Sequence, residues 1–230
     1  FNDPHHHLVG LTIAAGNVGL DHTVRNALKL CEVAGRDDIP VYAGCADPLL
    51  HPAVDAAHVH GRDGFGDIGF TPAARAAESE HAALAILRLS HEHAGQLLLV
   101  ALGPLTNIAL ALKLDATLPR RIKRFGVMGG AVSAHGNITA AAEFNIAFDP
   151  EAAHIVFQSF PHIELADWEV VIAHGFLHSE AEQWLKADSP RARFYDQISL
   201  QTRNWSADRR GDHWHSADAL AIAWALQPQG

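Results

Sequence analysis

Leu97-Leu98-Leu99-Val100-Ala101 is apolar at every position and is bounded by Gln96 and Gly103, so it reads as a strand covered on both faces. Further runs at Leu8–Ala15, Ile39–Ala43, Phe125–Met128 and Ile163–Ala166 also read as strands, with Pro40 suiting an edge or a strand start. Between them the period changes. Val24, Ala27, Leu28, Cys31 and Ala34 recur at helical spacing, and Gly35 closes that helix. Helical patterns also cover 78–92, 104–114 and 150–158, and three more follow near 179–187, 190–205 and 216–226. Apolar strands alternating with helices predict an α/β fold, an open and mostly parallel sheet flanked by helices with a Rossmann-like core. No repeat or linker divides the pattern, so residues 1–230 read as a single domain.

Composition narrows the partners. A net charge of −9 argues against nucleic acid and anionic membrane surfaces. No apolar run approaches the roughly 20 residues that cross a bilayer, and no signal peptide opens the chain, so a cytoplasmic protein is expected. Cys31 and Cys45 lack metal-type spacing and read as reduced thiols, a single disulfide being the alternative. His5-His6-His7 cannot converge on one ion, because neighbours in an extended chain face opposite ways, and a solvated turn is expected. His213 and His215 flank Trp214 and could share a face; a capped loop before the last helix explains them equally well.

Candidate chemistry concentrates in Gly136–Asn145. Asn137, Glu143 and Asn145 stand among Ala, Phe and Ile, where a carboxylate must reach solvent or a polar partner. Carboxamides and a carboxylate at fixed spacing suit a polyhydroxylated ligand such as a sugar. Asp149-Pro150-Glu151 then starts a helix, with Asp as cap and Pro in the first turn. Gly16-Asn17, Leu102-Gly103-Pro104, Gly129-Gly130 and Asp167-Trp168 each follow a strand, so all fall on one sheet edge, where open α/β sheets bind ligands.

Together these motifs resemble the inosine–uridine preferring nucleoside hydrolase family. The matching residues are Leu11–Asn17 with Thr23–Leu28, Ile39–Gly44, Gly103–Ala109, Val127–Gly130 and the Asn137/Glu143/Asn145 segment. His58–Gly66, with His60 inside it, is similar to the family's mobile active-site loop. The resemblance runs through residues 8–168 and resumes at Asp218–Ala223. It implies calcium-assisted hydrolysis of the N-glycosidic bond of a ribonucleoside, giving ribose and free base, by a homodimer or homotetramer in purine or pyrimidine salvage. Asn17, Met128, Asn137, Glu143 and Asn145 would line the ribose pocket, with His60 contributing from its loop. The Leu102 carbonyl and the Asp218 carboxylate would be metal ligands.

Two departures shape the expectation. The family's Asp-x-Asp-Pro loop with its following Asp pair is absent, and Asn2-Asp3-Pro4 matches by spacing the turn ahead of the family's second strand. An incomplete sequence whose catalytic loop lies upstream is the simplest account, with a non-catalytic nucleoside- or ribose-binding relative as the alternative. Ala217 also stands where many purine-accepting members have His before the metal-binding Asp. His215 or His213 is then the expected proton donor to the leaving base, and Trp214 or Trp205 the expected stacking surface. A phosphate-binding α/β enzyme ranks below these, since the G-x-G-x-x-G run at Gly64–Gly69 does not follow an apolar strand run and no Walker-type run occurs.

Overall fold

A computed structural model describes residues 3–133 and 135–227, so Asn2 of the Asn2-Asp3-Pro4 turn lies outside the described residues. Strand β1 (Leu11–Ile13) pairs in parallel with β2 (Val41–Ala43) through helix α1 (Leu20–Ala34). Short α2 (Ala57–His60) and α3 (Ala82–Glu92) lead to a second parallel sheet of β3 (Leu97–Ala101), β4 (Ile122–Met128) and β5 (Glu164–Ala166). Helix α4 (Thr106–Leu114) joins β3 to β4; α5 (Phe144–Phe148) and α6 (Pro150–Ser159) join β4 to β5. Such helical crossovers are what parallel neighbours require. Helix α7 (Trp168–Ala173), β6 (Phe176–Leu177), α8 (His178–Leu185), α9 (Pro190–Arg210), β7 (His213–Trp214) and α10 (Ala217–Leu226) complete the chain. The β6–β7 pair is antiparallel. No described helix is long and apolar enough to cross a membrane, and both cysteines are free.

Local chemistry explains several boundaries. Gly35 ends α1 in the left-handed region (φ 65°), its N–H returning to the Cys31 and Glu32 carbonyls. Asp149 caps α6 through the Ala152 N–H, with Pro150 in the first turn. Strand β1 is shorter than the apolar run Leu8–Ala15, because only Leu11–Ile13 face a ladder partner. Helix α9 runs five residues beyond its expected end at 205, stopping at Gly211.

The expected single sheet is, among the described residues, two parallel sheets beside the separate β6–β7 pair. The edge of β1 away from β2 and the edge of β3 away from β4 meet no strand there. Leu97–Val100 are accordingly half-buried rather than sealed, against the reading of a strand covered on both faces. Below β3 and β4 the core is continuous: Leu105, Leu118, Phe125, Val127 and Val156 are all essentially inaccessible. Asn107 fastens the two halves at the carboxyl edge. Its Nδ2 donates to the Ile13 carbonyl (3.0 Å), while the Cys45 N–H donates to its Oδ1 (2.8 Å). A Cβ on Gly44 would lie 2.2 Å from that Oδ1, so only glycine allows the approach. Arg124 on β4 forks onto Glu164 of β5 (2.9 and 2.6 Å) and donates to the Ala225 carbonyl (2.8 Å), pinning α10 to the sheet.

Candidate active site

A cavity of about 410 Å³ opens at the carboxyl ends of β1, β3, β4 and β5, the edge expected from the sequence. It gathers Asn17, His60, Leu102, Met128, Asn137, Glu143, Asn145, Trp214, His215 and Asp218. His213 is not among its walls: it is exposed on β7, paired with Leu177. The strand period separates it from its neighbour, since Trp214 turns inward and is buried.

The carboxamide end is built around Glu143, which is 2% exposed. Its side chain caps α5, accepting from the Asn145 N–H (2.9 Å) and the Ile146 N–H (3.2 Å), and it also accepts from the Gly130 N–H (3.0 Å). The Asn137 side chain adds a further hydrogen bond, so the roughly four acceptor positions of the carboxylate are in use. Burial raises its pKa, and those bonds oppose the rise. Glu143 is therefore the frame of this loop, a role the sequence did not reveal because Glu is not a usual cap. Asn145 donates to the Met128 carbonyl (3.1 Å) and, more weakly, to that of Leu102 (3.5 Å). Its Oδ1 has no partner among the described residues and is available to a ligand hydroxyl. Met128 is core, 3% exposed, beside Trp168 and Ala221, and reaches the cavity from beneath.

The lining is also aromatic. Trp168, Trp205, Trp214, Tyr195 and Phe65 contribute to it, with Tyr195 and Trp214 6.0 Å apart. Trp168 is placed by Asp167, which caps α7 through the Val170 N–H (2.9 Å), and by its own N–H donating to the Gly130 carbonyl (2.9 Å). The 58–66 loop lies against α9, with Phe65 5.7 Å from Phe194. Asn26 ties it down by donating to the Asp63 carbonyl (2.8 Å). The His60 pKa is pushed down to about 4 by burial, with His58 adding to the effect, so its ring is neutral near pH 7. The His215 ring bonds the Ile172 backbone, and its Nδ1 is buried with no protein partner.

Asp218, in the first turn of α10, lines the cavity and is exposed there. Its pKa is pushed up to about 7, first by desolvation and then by the charge of Glu143. The folded state thus holds a proton between about pH 4 and 7 that the unfolded chain has released, and stability falls as pH rises through that window. Asp218→Asn should therefore unfold at higher urea concentration than the parent at pH 8, by about 1–2 kcal/mol after allowance for solvent screening, with the gain vanishing toward pH 4. An equal shift at both pH values would show that Asp218 ionisation is not the source.

The hard oxygens near the floor are the Leu102 carbonyl and the Asp218 carboxylate. Among the described residues no three His, Cys, Asp or Glu side chains converge as a metal site. Calcium takes six to eight oxygen ligands, so these two donors supply only part of a calcium shell.

The sequence description of inosine-uridine preferring nucleoside hydrolases matches residues 1–230. Uridine nucleosidase 1 of Arabidopsis thaliana is 43% identical over 161 residues, covering 69% of the chain and 48% of the relative. Probable uridine nucleosidase 2 of Oryza sativa subsp. japonica is 39% identical over 225 residues, 96% of the chain and 65% of the relative. The solved purine-preferring ribonucleoside hydrolase from Gardnerella vaginalis superposes with a TM-score of 0.93 at 30% identity, covering 98% of this chain and 73% of that protein. The chain thus spans between about half and three quarters of the length of these relatives. A parallel α/β fold, a cavity at its carboxyl edge and a match along the whole chain place this protein in the inosine-uridine preferring nucleoside hydrolase family, enzymes that split ribonucleosides into ribose and free base.

Proposed function

We propose that this cavity holds a ribonucleoside lengthwise and serves hydrolysis of its N-glycosidic bond. The observation that carries the proposal is the polarity of the walls. Asn17, Asn137 and Asn145 offer donors and acceptors, as a ribose requires, and Trp214 in the same lining offers a planar face to a heterocycle. Glu143 holds that carboxamide end in shape, and Asn145 Oδ1 is the acceptor we assign to a ribose hydroxyl. Trp214 is the stacking surface, since Arg209 and Arg210 both lie over the Trp205 ring.

Calcium belongs to the proposal as an ion shared between the Leu102 carbonyl, Asp218 and carboxylates beyond the described residues. The unpaired edges of β1 and β3 support this: one more parallel strand pairing with both would join the sheets in the order β2-β1-x-β3-β4-β5. Its carboxyl end would then come out beside Asn17 and Leu102. A cytoplasmic homo-oligomer acting in nucleoside salvage completes the proposal, on the strength of the family alone.

The shortfall of carboxylates also favours a second reading, nucleoside binding without turnover. Tryptophan fluorescence titration of the 230-residue protein should show uridine or inosine binding roughly tenfold tighter than its 2′-deoxy analogue. Equal affinity for the two sugars would sink the ribose assignment. With calcium added, the same protein should release no measurable ribose; rapid release would show that the described residues need no further carboxylates.

A further inference from the structure

Arg210 is the last residue of α9 and the single Arg or Lys among the described residues lining the cavity. Its guanidinium lies 4.5 Å from the Trp168 ring centre and 5.3 Å from that of Trp205. Two aromatic faces therefore hold it, and no carboxylate among the described residues pairs with it. In a chain of net charge −9 this is unusual, because a half-buried cation without a counter-ion costs free energy. Its five N–H donors are left for something that enters the cavity.

The chemistry of the proposed reaction supplies a candidate. The water oxygen bonds to C1′ as the C1′–N bond breaks, and the electron pair stays on the base nitrogen. That charge spreads onto the neighbouring ring atoms and carbonyl oxygens. The proton lost by water later returns to the base from solvent, so nucleoside plus water gives ribose plus neutral base. The departing charge can be met by a proton or by a fixed cation. Imidazolium donors are poorly supplied here: His213 lies outside the cavity, His60 is neutral near pH 7, and burial together with the Arg210 charge lowers the His215 pKa. Arg210 keeps its charge at any working pH.

Resting on the nucleoside assignment above, we infer that Arg210 is a catalytic residue that stabilises the leaving base as an anion, its guanidinium held between Trp168 and Trp205 to meet the base oxygen or nitrogen on which charge collects. This role replaces protonation of the base by His215 or His213.

Free bases test it without turnover. The 230-residue protein is titrated by tryptophan fluorescence with uracil, neutral at about pH 7.5, and with 5-nitrouracil, an anion there. The anion should bind roughly tenfold tighter, and Arg210→Met should abolish that preference while changing uracil affinity by less than about threefold. Arg210→Lys, which keeps charge but loses the planar stack, should retain part of the preference. Equal affinity for both bases in the parent protein, or an undiminished preference in Arg210→Met, overturns the inference. Uridine is the control. If uridine binds and the anion preference is absent, Arg210 alone loses its role. If uridine does not bind, the nucleoside assignment fails and Arg210 with it.

Discussion

Glu143→Ala is expected to lower folding stability by about 3 kcal/mol and to remove ribonucleoside binding together with it. Three backbone N–H groups, those of Gly130, Asn145 and Ile146, lose their acceptor in one step, and the site is too buried for water to replace it without rearrangement. Helix α5 loses its cap, and Asn145, the second residue of that helix, loses the anchor that aims its side chain at the Met128 and Leu102 carbonyls. Glu143→Gln should be nearly as harmful. An amide brings an NH₂ group against backbone donors where the carboxylate offered only acceptors. Urea unfolding measures the first effect and uridine titration the second. A Glu143→Ala protein with an unchanged unfolding midpoint would show that the loop is held by something other than this carboxylate.

Asp149→Ala should cost a comparable or larger amount, about 4 kcal/mol, and leave uridine affinity at low temperature unchanged. Asp149 has no accessible surface and serves three donors. Its Oδ2 accepts from the Thr106 hydroxyl (2.7 Å) and the Leu49 N–H (3.0 Å), and its Oδ1 accepts from the Ala152 N–H (3.0 Å). Removing it strands the Thr106 hydroxyl, itself 2% exposed, along with two backbone groups. Against a typical domain stability of about 5–15 kcal/mol, such a loss would bring the protein close to unfolding at 37 °C. The contrast with Glu143 is the informative part, because Asp149 does not line the cavity. Loss of uridine affinity in folded Asp149→Ala would place this carboxylate in the site. A loss of stability below about 1 kcal/mol would show that its three donors find other partners.

Much of this architecture was legible because its signals are local. Gly35 after a helical stripe, and Asp149 before Pro150, announce a helix end and a helix start in single residues, and both formed as expected. Strand lengths were less legible. Whether Leu8 or Ala14 belongs to a ladder depends on a partner 30 residues away, which apolar periodicity does not encode. Helix α5 was missed for a different reason: its cap is a Glu, and its five residues are too few to display a period. Helix α7 carried a readable start in Asp167, followed by Glu169 in its first turn, but is similarly short.

The same limits governed the site. The carboxamide loop stood out because unusual polar residues interrupt an apolar stretch, and that contrast survives without any neighbour being known. Arg210 did not, since ending α9 at residue 205 leaves it in a connecting loop. The readable clue was Arg209-Arg210 before Gly211, basic residues in a last turn followed by a helix stop. Only the fold sets that turn against Trp168, 42 positions earlier in the chain by the numbering of the two residues.

The bare edge of β3 has a bearing on solution behaviour. Natural sheets guard their margins with lysine, proline, bulges or a covering element, because an open row of backbone donors and acceptors templates pairing with another chain. Leu97-Leu98-Leu99-Val100-Ala101 carries no charge and no proline, and its register irregularity between Leu97 and Leu98 lies on the β4 side, so it does not guard the open edge. Left uncovered, that margin makes the middle of the fold its most adhesive line, and colloidal behaviour becomes a property of the sheet interior instead of the outer surface.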